Sequence, residues 1–222
     1  MGPVEYEIGL LIGTGSFAKV YLGVNKITKQ QVAIKQSKEP RAKAILESEA
    51  VAYSHIQSFP HKITGAINLI SFFESSELSS LVLEYFRGQE LLQFLLEYNN
   101  LHLPKRTERV PEPVVKRIIY SILRTISQLH AIGVSHGDLK LENILINADL
   151  ETRIIDFGFA KVIAKLKQTA DISQLPINDN GGVAIGPIGA SDCYMSPEVV
   201  LQKSSNRFRN DVWALGIPKI IT

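Results

Sequence analysis

The sequence predicts an α+β fold in two parts, a β-rich segment of roughly eighty residues followed by a mainly helical one. Three observations point to this. Residues 6–35 alternate short apolar runs with glycine and polar turns, two stretches (41–56 and 114–131) repeat apolar residues at helical spacing, and the strand signals crowd before residue 85. A length of 222 residues, 45% of them hydrophobic and 21% charged, accommodates one large domain or two small lobes with a packed core.

The elements follow in order. Ile8, Leu10, Leu11 and Ile12 lead into a glycine turn, Val20-Tyr21-Leu22 leads out of it, and Gln31-Val32-Ala33-Ile34-Lys35 forms a third strand. In 41–56 Ile45, Ala52, Tyr53 and Ile56 share one helix face. Glu49 lies on that face, four residues after Ile45 and four before Tyr53. Glu47, about 200° round the wheel, is expected to face solvent. A carboxylate inside an apolar stripe calls for a buried partner. Two more strands are expected at 67–73 and 78–84, then a short helix at 91–98. Residues 100–113, polar and basic with Pro104, Pro111 and Pro113, are expected to form a connecting loop. The strongest helix is 114–131, where Val115, Ile118, Ile119, Ile122, Ile126 and Leu129 make a wide apolar stripe. Short strands at 144–146 and 153–155 flank a turn at 147–149. Residues 159–192, rich in Gly, Asn and Asp, are expected to be a long loop.

Bulk properties narrow the partners. A net charge of +2 favours neither a nucleic-acid nor a membrane surface. The single Cys193 has no internal partner for a disulfide, which favours a reducing compartment. No apolar run has the length of a membrane span. Met1-Gly2-Pro3-Val4-Glu5-Tyr6 lacks a signal core, and Tyr6 stands where a myristoylation motif wants Ser or Thr. A cytosolic location, with a nuclear one as the alternative, is expected.

Three constellations carry chemistry. Gly13-Thr14-Gly15-Ser16-Phe17-Ala18-Lys19-Val20 lies between two strands, where glycines let the backbone approach phosphate oxygens. A strand on both sides argues against a dinucleotide fold, in which a helix follows, and leaves a plain hairpin turn as the alternative. Ala18 stands where the usual pattern has its third glycine. Lys35 ends a Val-Ala-Ile-Lys strand, and an ion pair with Glu49 is the simplest account of both side chains. Small, apolar Ala33 and Val20 suit the roof over a flat aromatic ring. The densest signal is His136-Gly137-Asp138-Leu139-Lys140-Leu141-Glu142-Asn143, followed thirteen residues later by Asp156-Phe157-Gly158. It supplies an acid able to accept a hydroxyl proton, a lysine, and two side chains suited to Mg²⁺, which prefers hard oxygen ligands. Cys193 has no adjacent base and is given no catalytic role. His55, His61, His102 and His130 lack metal-ligand spacing and are expected to be surface or packing residues.

In this order the glycine loop, Val-Ala-Ile-Lys, the helix glutamate, the Asp138 loop, Asp-Phe-Gly and Ser196-Pro197-Glu198 resemble the signature set of the eukaryotic protein kinases over nearly the whole chain. The resemblance implies a protein kinase domain over 1–222. Its β-rich lobe would span 1–84 with a hinge at 84–87, and its helical lobe, 88–222, would be incomplete. It implies ATP and Mg²⁺ as cofactors and Ser/Thr hydroxyls of proteins as acceptors. Lys35 would hold the α- and β-phosphates, braced by Glu49. Asp138 would take the hydroxyl proton, Lys140 would contact the γ-phosphate, and Asn143 and Asp156 would bind the metal. Ile12, Gly13, Gly15, Ser16, Val20, Ala33, Leu83 as gatekeeper, Glu84 and Phe86 through their backbone, Glu90 at the ribose, and Leu145 would complete the ATP site. Ser191 would tie the substrate loop to Asp138 and Lys140. Tyr53, Leu69, His136 and Phe157 resemble the family's stacked regulatory column, with Asp211 as anchor. The Asp-Phe-Gly-Phe-Ala run and Tyr194-Met195-Ser196-Pro197-Glu198 are loosely similar to the calcium/calmodulin-type kinases.

Two features depart from the family pattern. Gly137 replaces the arginine that normally binds an activation-loop phosphate, so activity is expected not to depend on phosphorylation there, for example at Thr169 or Ser173. Pro218 falls where the helix begun at Asp211 should continue. An incomplete helical lobe would leave the apolar faces of 114–129 and of Trp213 uncovered, which implies a partner. A non-catalytic nucleotide-binding or scaffolding module, pseudokinase-like, is therefore the alternative function. A small-molecule kinase is a further one, disfavoured because 191–198 resembles a protein-substrate platform.

Overall fold

The computed structural model describes residues 5–101, 110–163, 192–201 and 205–216. The class is α+β, as expected, and the chain divides into two compact units. The first comprises Met1–Lys62 with Ile67–Arg87, and the second Ile63–Ala66 with Gly88–Thr222.

In the first unit, β1 (Tyr6–Thr14), β2 (Ala18–Asn25), β3 (Gln31–Ser37), β4 (Leu69–Glu74) and β5 (Ser79–Glu84) form one antiparallel sheet in the order β1-β2-β3-β5-β4. Period-two alternation sorts its faces. Val32, Ile34, Val82 and Tyr6 make a buried cluster on one face, with Phe73 edge-on to Tyr6 at 6.2 Å. Ala33 and Lys35 lie on the other face, opposite Leu22 and Val20 of β2. Helix α1 (Lys43–Gln57) packs on β5, β4 and β3, entered through a 3-10 turn at Pro40–Ala42. Its buried stripe is Leu46, Glu49, Ala50, Ala52, Tyr53 and Ile56. Ile45, expected on that face, is only half-buried, and so is Glu47, expected in solvent. The stripe is centred one position further round the wheel than Ile45 implies.

The second unit holds β6 (Gln89–Glu90), α2 (Leu91–Leu101), α3 (Glu112–Ala131), β7 (Val134–Ser135), β8 (Ile144–Ile146), β9 (Thr152–Ile154), β10 (Lys161–Val162), α4 (Pro197–Val200) and α5 (Arg207–Gly216). Strands β6, β8 and β9 form one small sheet, and β7 and β10 another. The expected loop at 100–113 is shorter than predicted, since α2 reaches Leu101 and α3 begins at Glu112. Pro113 sits in the first turn of α3, where its missing N–H breaks no helical bond. Buried residues of α3 are Ile118, Ile122, Thr125, Ile126, Leu129 and His130, so the predicted stripe is largely covered. Tyr120, Leu123, Val212 and Trp213 are the exposed apolar side chains of α3 and α5. Helix α5 starts four residues before Asp211, because Asn206 accepts the Phe208 and Arg209 N–H groups on its side-chain oxygen at 3.0 and 3.2 Å. Thr169, Ser173, Ser191, His102 and Pro218 lie outside the described residues.

Candidate active site

In the first unit, the turn between β1 and β2 is closed by the Gly15 N–H donating to the Ala18 carbonyl at 2.9 Å. Neither Gly13, Gly15 nor Ala18 has a positive φ. The alanine in the third position therefore needs no glycine backbone, and its methyl is buried. Thr14, Ser16 and Phe17 of the turn are exposed.

Two strands away, Lys35 pairs across the sheet with Val20. Its Nζ donates to Glu49 Oε2 at 2.7 Å, with Glu49 wholly buried. The pairing expected from a carboxylate in an apolar stripe is thus present. Val20 and Ala33 remain partly open to solvent, leaving small apolar surface on the same sheet face as the ammonium, and Ile12 is exposed at the irregularity of β1 between Leu11 and Gly13. Leu83, opposite Ala33, is buried. The Glu84 N–H is committed to the Asn68 carbonyl at 2.9 Å, and the Asn68 amide donates to the Glu84 carboxylate. Any ligand contact through the Glu84 backbone must therefore use its carbonyl. Of the predicted column, Tyr53 is fully buried and Leu69 half-buried.

In the second unit, the loop after β7 folds on itself. The Asn143 amide nitrogen donates to the Asp138 carbonyl at 2.8 Å and to Asp138 Oδ2 at 3.0 Å. Lys140 Nζ reaches the same oxygen at 3.0 Å. Burial pushes the Asp138 carboxyl above its ordinary range, and Lys140, His136 and Asn143 oppose that shift without cancelling it. His136 accepts the Asp138 N–H on Nδ1 at 3.2 Å, so Nε2 carries the ring proton and donates to the Ile155 carbonyl at 3.0 Å. Its ring packs on Phe157, with centroids 4.9 Å apart. The Ile155 N–H donates to the Asn143 carbonyl at 3.0 Å, which sets Asp156 one residue from that contact. Asp156 has φ +64°, a left-handed conformation that is uncommon for a non-glycine residue and is concentrated at functional sites. Asp211 receives the His136 and Gly137 N–H groups, each at 2.9 Å. Glu90 and Leu145 face each other across β6 and β8.

The donor set suits a hard divalent cation. Both Asn143 contacts use its nitrogen, which leaves the amide oxygen as an acceptor, and the Asp156 carboxylate adds a charged one. Among the described residues no group of three or more His, Cys, Asp or Glu forms a metal nest. A metal here would draw its remaining ligands from phosphates and water, as Mg²⁺ commonly does.

A family model for the protein kinase domain matches residues 6–221. The chain belongs to the protein kinase family. Similar proteins include a probable serine/threonine-protein kinase of Dictyostelium discoideum, 31% identical over 96% of this chain and 46% of that protein. A mitogen-activated protein kinase kinase kinase of Pyricularia oryzae is 31% identical over 94% of this chain and 22% of that protein. CBL-interacting serine/threonine-protein kinase 13 of Arabidopsis thaliana is 31% identical over 96% and 38%. This kinase chain thus spans less than half the length of each of these relatives.

Sequence reasoning named nearly all of these side chains. It passed over Asn68, which ties down Glu84, and His130, a buried neighbour of Asp211. His130 does follow the apolar stripe of its helix, four residues after Ile126, and that spacing was the available signal of burial.

Proposed function

We propose that this kinase transfers the γ-phosphate of ATP to Ser or Thr hydroxyls of protein substrates, with Mg²⁺ as cofactor. The observation that carries this is the convergence of Lys140 and Asn143 on one Asp138 oxygen, with Asp156 next to Ile155, whose N–H pins the Asn143 carbonyl. Asp138 accepts the hydroxyl proton as the substrate oxygen bonds to the γ-phosphorus and the bond to the β-phosphate oxygen breaks, releasing ADP. Its raised affinity for a proton suits that task. Lys140 lies beside the charge carried by the moving phosphoryl group. Lys35, fixed by Glu49, holds the α- and β-phosphates. Asn143 and Asp156 hold the metal, which when bound neutralises charge on the phosphate oxygens. Ile12, Val20, Ala33 and Leu145 supply apolar surface for adenine, the Glu84 carbonyl and Phe86 backbone its polar edge, and Glu90 a ribose contact. The Ser/Thr assignment rests on Lys140, two residues after Asp138, and on the names of the relatives. A cytosolic or nuclear setting fits the composition.

Incubation with radiolabelled ATP, Mg²⁺ and a mixed Ser/Thr peptide library tests this, with Asp138→Asn as control. Label well above that control is expected on serine or threonine. Equal counts in both, together with an ATP·Mg²⁺-dependent rise in melting temperature, would instead identify a nucleotide-binding module without catalysis.

A further inference from the structure

We propose that Lys43 is a positioning residue for phosphotransfer: it grips the turn between β4 and β5 and so holds α1 where Glu49 meets Lys35. This rests on the assignment of Lys35 to the ATP phosphates. Lys43 is the first residue of α1. A cation there opposes the positive end of the helix dipole, so helix formation alone does not favour it. The same end of α1 has no side-chain cap and no acidic residue in its first turn.

The lysine is held from outside the helix. Its Nζ donates to the Ser75 carbonyl at 2.7 Å and lies 3.1 Å from Glu74 Oε1. The Glu74 side chain is 53% exposed, and an exposed ion pair is often worth nothing measurable. The shorter contact, to the backbone carbonyl, therefore carries the grip. The turn that offers this carbonyl is closed by its own bonds. The Ser75 N–H and hydroxyl both donate to the Leu78 carbonyl at 2.9 Å, and the Leu78 N–H donates back to the Ser75 hydroxyl at 3.0 Å.

The turn is also fastened to the strand that carries Lys35. Ser79, the first residue of β5, donates its N–H to the Ser37 hydroxyl at 3.0 Å, and both residues are buried. The Gln36 side-chain amide donates to Ser80 Oγ at 3.3 Å. Lys35 precedes these two residues on β3 and pairs with Leu81 of β5. A closed circuit results. β3 holds β5, the turn before β5 holds α1 through Lys43, and α1 returns to β3 through Glu49 and Lys35 at 2.7 Å. Lys43 lies six residues before Glu49, about 9 Å along the helix axis. Loss of its ammonium opens the circuit at the uncapped end of α1, and the helix can then pivot on its buried stripe. Glu49 moves with it, and the phosphates lose a fixed ammonium. A misplacement of about 1 Å is enough to cost on the order of a hundredfold in rate.

The test uses the full chain. Lys43→Met keeps the apolar stem and removes the ammonium, while Lys43→Arg keeps a cation that reaches the same carbonyl. For Lys43→Met, kcat/KM for ATP on the peptide library should fall about tenfold, and Lys43→Arg should recover most of it. The same substitution in a Glu49→Gln chain should cost less than about twofold, because the pair it serves is already broken. Amine acetylation followed by mass spectrometry reads the pair without nucleotide. Labelling of Lys35, relative to exposed Lys29, should quicken several-fold in Lys43→Met and return towards wild type in Lys43→Arg. Wild-type kcat/KM and labelling in a folded Lys43→Met would overturn the proposal. So would an equal loss in the wild-type and Glu49→Gln chains, because that is the mark of general destabilisation. Should the wild type itself transfer no more phosphate than Asp138→Asn, the catalytic assignment fails, and Lys35 labelling alone decides whether Lys43 holds the pair. If Lys43→Met does not fold, Lys43→Gln, whose shorter side chain falls short of Ser75, takes its place with the same expected outcomes.

Discussion

Asp138, proposed above as the proton acceptor, is held against its own preference. Burial raises its affinity for a proton more than Lys140, His136 and Asn143 lower it. A carboxyl whose folded pKa lies above its unfolded value weakens the fold most at high pH, and that penalty fades as pH falls through the raised value towards 3.8. Asp138→Asn should therefore melt at a higher temperature than wild type near neutrality, and the gap should narrow on acidification while activity is lost throughout; scanning calorimetry across pH checks this. Gly137 is constrained differently. A Cβ built there would lie 2.6 Å from the Phe159 carbonyl oxygen, on a backbone already at positive φ. Gly137→Ala should lose about 1–2 kcal/mol or more in urea unfolding. Residues such as Asp138, Asn143 and Asp156 were legible because polar side chains at fixed spacing interrupt apolar strands. The partner of His130 was not, since helical phase reports burial and says nothing of a carboxylate 81 residues further along.

Among the elements, α1 tests the helical wheel most directly. Leu46, fully buried, and not half-buried Ile45, anchors the face that carries Glu49. Leu46→Ala should cost about 2–5 kcal/mol and Ile45→Ala clearly less, measured by urea denaturation of each variant. A one-position error in phase arises because 3.6 residues per turn puts neighbouring positions on overlapping arcs, and the sheet decides which of them is central. The five strands of the first unit were readable because each runs for six residues or more. β6, β7 and β10, two residues each, are too short for alternation to register, and only tertiary pairing defines them. Helices α2 and α3 run further towards each other than the flanking prolines suggest, since Pro113 sits in the one turn of a helix that tolerates it.

At the scale of the molecule, the α+β division was visible in the sequence, but the membership of Ile63–Ala66 was not. These four residues lie between two stretches of the first unit and belong to the second. The Gly65 carbonyl accepts the Ile154 N–H at 2.7 Å, and Ala66 bridges to the same residue. A Cβ on Gly65 would fall 1.8 Å from Thr125 Oγ1, and that hydroxyl is itself donated to the Ser121 carbonyl at 2.9 Å. Gly65→Ala should therefore destabilise the chain by about 1–3 kcal/mol, and Thr125→Ala in the same chain should recover part of the loss in a double-mutant cycle measured by thermal melting. The detour also has a temporal side. On the ribosome the strands of the first unit are complete by residue 84, whereas Ile154, whose N–H donates to Gly65, is added 70 residues later (154 − 84). At about 5–20 residues per second that is a delay of roughly 4–14 s. The nascent chain therefore carries a finished sheet interrupted by four residues whose own partners are not yet made, and this short stretch is where a chaperone would find the growing kinase still open.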